Sequence, residues 1–464
     1  MTIYEKLKRH AGDRLPMHMP GHKRRTDEPY LRDLCAALDI TEIDGFDDLH
    51  DPSGIIADAE ARAARLWGAE NSHLLVGGST VGILAGVYSL LTRGDAVIVA
   101  RNCHKSVFHA LEISGADAKY IVPETDGETG IFKDVTPLAV KKALDENPSA
   151  RLVIITSPTY EGVISDVKGI ARVAHERGVP LLVDEAHGAH LDLCDKFAGG
   201  AVKAGADVVI QSLHKTLPSL TQTAIAHVGG LADDKAFSRA LDIFETSSPS
   251  YLLMASADGC VDYISSHPES LEKWSDNMDA FAKSAAALEK FALFRGEGCF
   301  SFDKSKIVIS TANASISGYE LMKILREKRG VELEAAGERF ALAMTGVFDD
   351  ENSLGALIGA LTEIEKSVGV QKREAALPCP VPPCAAKISD AVSKRAESVS
   401  GGEAVGRVCA EYVYAYPPGV PLIVPGEIFT RDVISAAEKL KNIGARVVAS
   451  DKTLKTFRVI ENKS

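Results

Sequence analysis

Cysteine is scarce and scattered in this 464-residue sequence. The eight residues, at positions 35, 103, 194, 260, 299, 379, 384 and 409, show no disulfide-framework spacing, so cross-links are not expected and reduced thiols are. Cys379 and Cys384 in LPCPVPPC lack the two further ligands a zinc site needs and read as a proline-rich linker; no metal is expected. Positive charge is in deficit, with 52 Lys and Arg against 64 Asp and Glu, which argues against a general attraction to nucleic acid or anionic lipid. Long apolar runs are missing. The N-terminal MTIYEKLKRHAGDRLP has no signal-peptide core, and the uncharged run from Leu74 to Leu91 is broken by GGST and followed at once by strand-like AVIVA. Neither secretion nor a membrane span is expected, which leaves the cytoplasm as the expected location. Gly 38 and Pro 20 are ordinary shares that exclude a collagenous or largely disordered polymer.

What is present is a globular chain, 45% apolar and long enough for two to four compact units. From about residue 56 to 230, β-branched runs alternate with amphipathic segments, the rhythm of a mainly parallel sheet with crossover helices. Seven strands are predicted, at 72–76, 96–100, 118–122, 151–156, 180–184, 207–212 and 223–228, with helices at 80–92, 104–114, 135–146 and 166–177. Ser165 and Asp166 are cap candidates for the last helix. After His267 the pattern becomes a long helix, KIVIS, a helix near 318–328, RFALAM and a helix near 351–366. The predicted organisation is an N-terminal arm with rim segments (1–55), a large domain (56–267), a small α+β domain (268–370), a linker (371–386) and a C-terminal α+β domain (387–464).

In open α/β sheets the chemistry collects at the carboxyl ends of the strands. Three of those ends are unusual. SHLLV is followed by GGSTVG opening a helix, where small residues, free amides and the hydroxyls of Ser79 and Thr80 suit a phosphate; a cap with a tight turn is the plainer alternative. PLLVD is followed by DEAHGAH, and Asp184 at the end of an apolar strand must be paired or hydrogen-bonded. His187 and His190 have no evident third ligand, which argues against a metal. DVVIQS is followed by SLHKTLPSLTQ, where Lys215 ends a strand beside Ser212 and Thr216. A strand-terminal lysine, a carboxylate ending an earlier strand and a phosphate turn ahead of both are the parts a pyridoxal phosphate Schiff-base site requires.

Nine motifs together resemble the ornithine/lysine/arginine decarboxylase family of pyridoxal-phosphate enzymes, in its short form without an N-terminal receiver-like wing. They are HMPGHK (18–23), DGFDDLHDPSGII (44–56), GGST (77–80), RNCHKS (101–106), SPTYEG (157–162), DEAHGAH (184–190), QSLHKTLPSLTQ (211–222), SSPSYLLMAS (247–256) and YPPGVPLIVPGE (416–427). The resemblance implies a fold-type-I pyridoxal-phosphate enzyme with a mainly parallel seven-stranded sheet. It implies that Lys215 binds the cofactor as a Schiff base, that Asp184 pairs with the pyridine nitrogen, and that His104 stacks on the ring, a role to be set against simple helix capping. Gly78, Ser79, Thr80 and Ser212 would hold the phosphate. His214 would contact phosphate or substrate carboxylate and move protons, and His187 stands where larger members often carry tryptophan. The implied reaction is decarboxylation of arginine, lysine or ornithine to CO2 and agmatine, cadaverine or putrescine, with arginine favoured by the short form.

Glu427 in VPGE is the leading residue for the cationic end of the substrate, with Ser247 second; a surface carboxylate is the plainer reading of Glu427. The implied assembly is a homodimer or larger homo-oligomer with shared sites, the HMPGHK and DDLHDPSG segments reaching across. A rival on the same fold is an aminotransferase, which needs an arginine on the α-carboxylate, and Arg339 ahead of FALAM is a candidate for it. His104, where aminotransferases commonly carry an aromatic ring, and the order of the motifs argue against it. A non-catalytic relative acting by binding is the remaining alternative, opposed by the intact Lys215, Asp184 and phosphate turn.

Overall fold

The computed structural model describes residues 1–10, 15–371, 380–416 and 419–461. Cys379, most of the expected linker and the prolines at 417–418 lie outside the described residues. The strands up to residue 230 are β1 (Asn71–Leu75), β2 (Ala96–Ala100), β3 (Asp117–Ile121), β4 (Ala150–Thr156), β5 (Val163–Ile164), β6 (Leu181–Asp184), β7 (Val208–Ser212) and β8 (Ala224–Val228). All of these but the short β5 form a seven-stranded sheet in the order β1-β8-β7-β6-β4-β2-β3. The β2–β3, β2–β4 and β6–β7 pairs are parallel, and β8 runs antiparallel to both β1 and β7. Each expected strand of this sheet is found to within one residue; β2, β4 and β7 are β-branched runs buried along most of their length, while β1 and β3 are only partly buried. The chain forms two compact units, Met1–Leu90 with Leu182–Lys273, and Leu91–Leu181 with Trp274–Ser464; neither is a continuous stretch.

In the first unit, the helix Gly78–Leu90 begins two residues before the expected 80, directly on the glycine turn. Two glycines one helical turn apart let it lie close on the strands beneath. A Cβ on Gly82 would fall 2.7 Å from Leu75 and 2.9 Å from Ile210, and one on Gly86 would fall 2.7 Å from Leu182. Those contacts fix where the helix N-terminus, and so the glycine turn before it, sits over the strand ends. The helix Ile55–Trp67 closes on Gly68 in the left-handed conformation (φ +73°) and buries Trp67.

In the second unit, Asp166 is the cap expected for its helix: its side chain accepts the Gly169 N–H at the start of Val167–His175. Thr136 caps Pro137–Glu146 in the same way, with proline at the first turn, where the missing N–H costs nothing. The strands β9 (Ala292–Phe294), β10 (Ser301–Phe302), β11 (Lys306–Ser310), β12 (Ala335–Ala336) and β13 (Phe340–Met344) follow. They give a four-stranded antiparallel sheet, β12-β13-β11-β9, while β10 pairs with β5. The helices Gly318–Arg329, opened by a Ser317/Glu320 capping box, and Glu351–Ser367 complete the α+β pattern.

The C-terminal strands are β14 (Ala396–Ser400), β15 (Val413–Ala415), β16 (Pro421–Ile423), β17 (Val447–Val448) and β18 (Thr456–Ile460). They form a β14–β18 ladder and a three-stranded β16-β15-β17 sheet around Cys409, Ile423, Phe429 and Phe457. No helix among the described residues is long and apolar enough to cross a membrane.

Candidate active site

Strand β7 ends at Ser212, and the single helical turn Leu213–Thr216 turns Lys215 off its end. Lys215 is half-buried, with Nζ 2.9 Å from His187 Nε2. His187 comes from the turn after β6, the strand that ends on Asp184. Asp184 is buried; its Oδ1 accepts the Ala186 N–H at 3.2 Å, and it has no salt bridge to a cation among the described residues. Burial raises its carboxyl above the usual range, and the nearby Lys215 charge and that N–H pull it back. A buried carboxylate without a dedicated cation is costly, and a cationic ring nitrogen would relieve it. His214 donates Nδ1–H to Thr223 O at 2.9 Å; burial holds its pKa below the ordinary value, so the imidazole is neutral near pH 7.

The turn after β1 requires both of its glycines. Gly78 has φ +77°, where a side chain would be strained, and a Cβ on Gly77 would fall 2.4 Å from Val81. Ser79 Oγ lies 2.7 Å from Ser212 Oγ, so two of the expected phosphate ligands meet. Thr80 is exposed at the next position. Thr216 Oγ1, beside Lys215, is buried with no hydrogen-bond partner. These donors, the buried Asp184 carboxylate and the Lys215 amine fit pyridoxal phosphate.

Two residues the sequence reading missed hold this turn. Glu245 Oε2 accepts the N–H groups of Val76 (3.1 Å) and Gly77 (2.9 Å), and Gln222 donates to Val76 O. Gln222 ends the QSLHKTLPSLTQ segment. Glu245, at the end of helix Asp234–Phe244, carries no local signal at all.

Beside the residues just described runs a buried polar ladder. Ser72 Oγ is 2.7 Å from His227 Nδ1, and His227 Nε2 is 3.1 Å from Gln211 Oε1. Gln211 Nε2 then donates to Glu185 Oε2 at 2.8 Å, while Glu185 Oε1 accepts the Ala201 N–H at 2.7 Å. Glu185 and Gln211 are the chain neighbours of Asp184 and Ser212, and successive residues along a strand face opposite ways. Burial pushes the Glu185 carboxyl up to about 8 and the His227 imidazole down to about 3. Trp67 packs against His227, with ring centroids 5.2 Å apart, and donates Nε1–H to Ala189 O at 2.9 Å, inside the His187 turn.

In the second unit, His104 is the N-cap of helix Lys105–Ser114: its Nδ1 accepts the Ser106 N–H (3.3 Å) and lies 2.9 Å from Ser106 Oγ. The capping role set against stacking is therefore present, and it orients the ring.

Glu427 requires a correction. It is neither a surface carboxylate nor free to meet a substrate cation, because the chain supplies its own cation. Arg101 donates Nε to Oε1 (3.0 Å) and Nη2 to Oε2 (2.9 Å), both side chains are at most 4% exposed, and Oε2 also accepts the Val424 N–H. Ser247 is exposed in the loop between helices Asp234–Phe244 and Tyr251–Ser266. Arg339 is buried, with Nη1 3.4 Å from Glu128 O, so it is a domain residue and not a surface one.

Residues 3–339 match the family described as Orn/Lys/Arg decarboxylase, major domain, and residues 371–445 match its C-terminal domain. The chain belongs to the Orn/Lys/Arg decarboxylase family. It is 34% identical to the arginine decarboxylase of Bacillus subtilis (strain 168) over 99% of this chain and 98% of that protein. Among solved structures it is similar to the Escherichia coli constitutive lysine decarboxylase, with TM-score 0.82 at 20% identity over 99% of this chain and 82% of that one. It is similar also to alanine–glyoxylate aminotransferase from Nostoc sp., with TM-score 0.56 at 14% identity over 67% and 86%. The fold is that of fold-type-I pyridoxal-phosphate enzymes, and this decarboxylase-family chain is an enzyme.

Proposed function

We propose that this enzyme decarboxylates a basic amino acid, arginine in the first place, with pyridoxal phosphate bound at Lys215. The observation that carries the proposal is the buried Asp184 carboxylate, without a salt bridge among the described residues, ending the strand beside the one that presents Lys215. Full-length similarity to an arginine decarboxylase supports the choice of substrate. When bound, the cofactor supplies an electron-withdrawing ring conjugated to the substrate α-carbon. Asp184 keeps the ring nitrogen protonated. Ser79 and Ser212, with the Gly78 amide and Thr80, bind the phosphate. His187 Nε2, 2.9 Å from Lys215 Nζ, would orient the lysine amine and hold its proton. His104 takes the stacking role, on the strength of its motif, and neutral His214 the proton-transfer role beside Lys215. Loss of CO2 calls for a fixed orientation of the substrate carboxylate, which the residues around Lys215 would supply.

We place the enzyme in the cytoplasm as a homodimer or larger homo-oligomer; the scattered cysteines, without a disulfide-framework spacing, support a reducing compartment. The test is a substrate panel of arginine, lysine and ornithine, with amine products identified by mass spectrometry. Stoichiometric CO2 and agmatine without added keto acid are expected. Keto-acid-dependent turnover, or no turnover in cofactor-loaded protein, would refute the reading.

A further inference from the structure

We infer that the segment from Gly419 to Glu427 positions the His104 ring, with Arg101 as the tie between them. The inference rests on the reading of His104 as the stacking residue and assigns Glu427 and Gly419 a part in the reaction through it.

Three contacts carry it. Gly419 O accepts the Lys105 N–H at 3.1 Å, joining the segment to the residue after His104. Gly419 lies against the imidazole itself: with φ +90°, a Cβ there would sit 3.2 Å from His104 Cδ2 and 3.3 Å from Nε2. A side chain at this position would push on the ring edge. Arg101, three residues before His104, donates Nη1 to Pro421 O at 2.8 Å and grips both oxygens of Glu427, whose Oε2 also takes the Val424 N–H at 2.9 Å. The guanidinium lies 5.2 Å from the ring centre of Phe108, within the helix that His104 caps, and 5.6 Å from that of Tyr120. Lys105 adds a further hold, its ammonium 4.9 Å from the Tyr414 ring centre and 5.5 Å from that of Tyr416.

His104 is thus fixed on one side by its own Nδ1 cap and on the other by a backbone carried by the Arg101–Glu427 pair. Neither charge in that pair is free for a ligand. Both are spent on holding backbone, which is what a positioning device does and a substrate pocket does not.

The test is a double-mutant cycle on the cofactor-loaded enzyme with Glu427→Gln and His104→Ala, read as kcat/KM and as visible circular dichroism of the bound cofactor, with the thermal midpoint as a control. Glu427→Gln should lower kcat/KM on the order of 10- to 100-fold, mainly through kcat, and change the dichroic band. In the His104→Ala background it should cost nothing further. Gly419→Ala repeats the cycle should Glu427→Gln fail to fold. Losses that multiply, or an unchanged dichroic band with only a lower thermal midpoint, would overturn the inference and leave the His104 role standing. An unchanged band and turnover in His104→Ala alone would overturn the stacking role and the inference with it.

Discussion

Asp184 and Glu427 are both buried carboxylates, and burial raises both carboxyls, yet the two regions use them differently. Around Glu427 the chain supplies a guanidinium in bidentate contact and a backbone N–H, so the charge is fully matched. Around Asp184 it supplies one N–H and the field of a lysine that is itself turned to His187. A buried charge answered within the chain holds structure. One left partly unanswered is costly, and that cost underlies the proposed pairing of Asp184 with a cofactor cation.

The sharpest way to break this contrast is Lys215→Ala, which should abolish covalent attachment of cofactor; borohydride reduction and peptide mapping of the wild type should find the label at residue 215. Label on another lysine would remove the assignment. Next comes Asp184→Asn, expected to lower turnover by about a thousandfold, ~4 kcal/mol, with a smaller change in binding. Near-normal turnover would make Asp184 a structural carboxylate. Glu427→Ala should act on folding as well as on turnover: removing the carboxylate that answers the buried Arg101 charge should cost about 3–5 kcal/mol in denaturant unfolding, and the loss of turnover should be equal on basic and neutral substrates.

The polar ladder gives a pH test of smaller size. Glu185 holds its proton up to about 8, well above its unfolded value, so it favours the folded state at low pH and that contribution is lost as pH rises toward 8. Wild-type stability should therefore carry a downward slope of up to ~1.4 kcal/mol per pH unit across that window, and Glu185→Gln should flatten it. An unchanged slope would show that Glu185 stays ionised. Smallest of all, Arg339→Ala should cost less than about tenfold in kcat/KM, under ~1.4 kcal/mol. A thousandfold loss with keto-acid-dependent turnover would favour aminotransferase chemistry.

The architecture was legible in the sequence because its signals are local. Seven apolar runs gave seven strands, Asp166 gave a cap, and the left-handed Gly78 gave the turn ahead of Ser79. Lys215, Asp184 and His187 were legible as well, since each stands at or just beyond the end of a buried strand, where residue type and strand direction suffice to mark it. Glu245 and the ladder were not, because each depends on an approach between distant stretches: Glu245 meets a turn 168 and 169 residues away, and Ser72, Gln211 and His227 come from three different strands.

Sequence by itself thus determined which segments are buried, where strands end and which side chains with chemistry stand at those ends, because periodicity and turn residues act over a few positions. Which charge answers which was decided only by the tertiary structure. Arg101 and Glu427 are 326 residues apart, and nothing in either motif distinguishes a glutamate that will find a guanidinium from one that will face a substrate. The free energy of a buried charge is set by whatever lies within a few ångströms of it, and that neighbourhood exists only once the chain has folded.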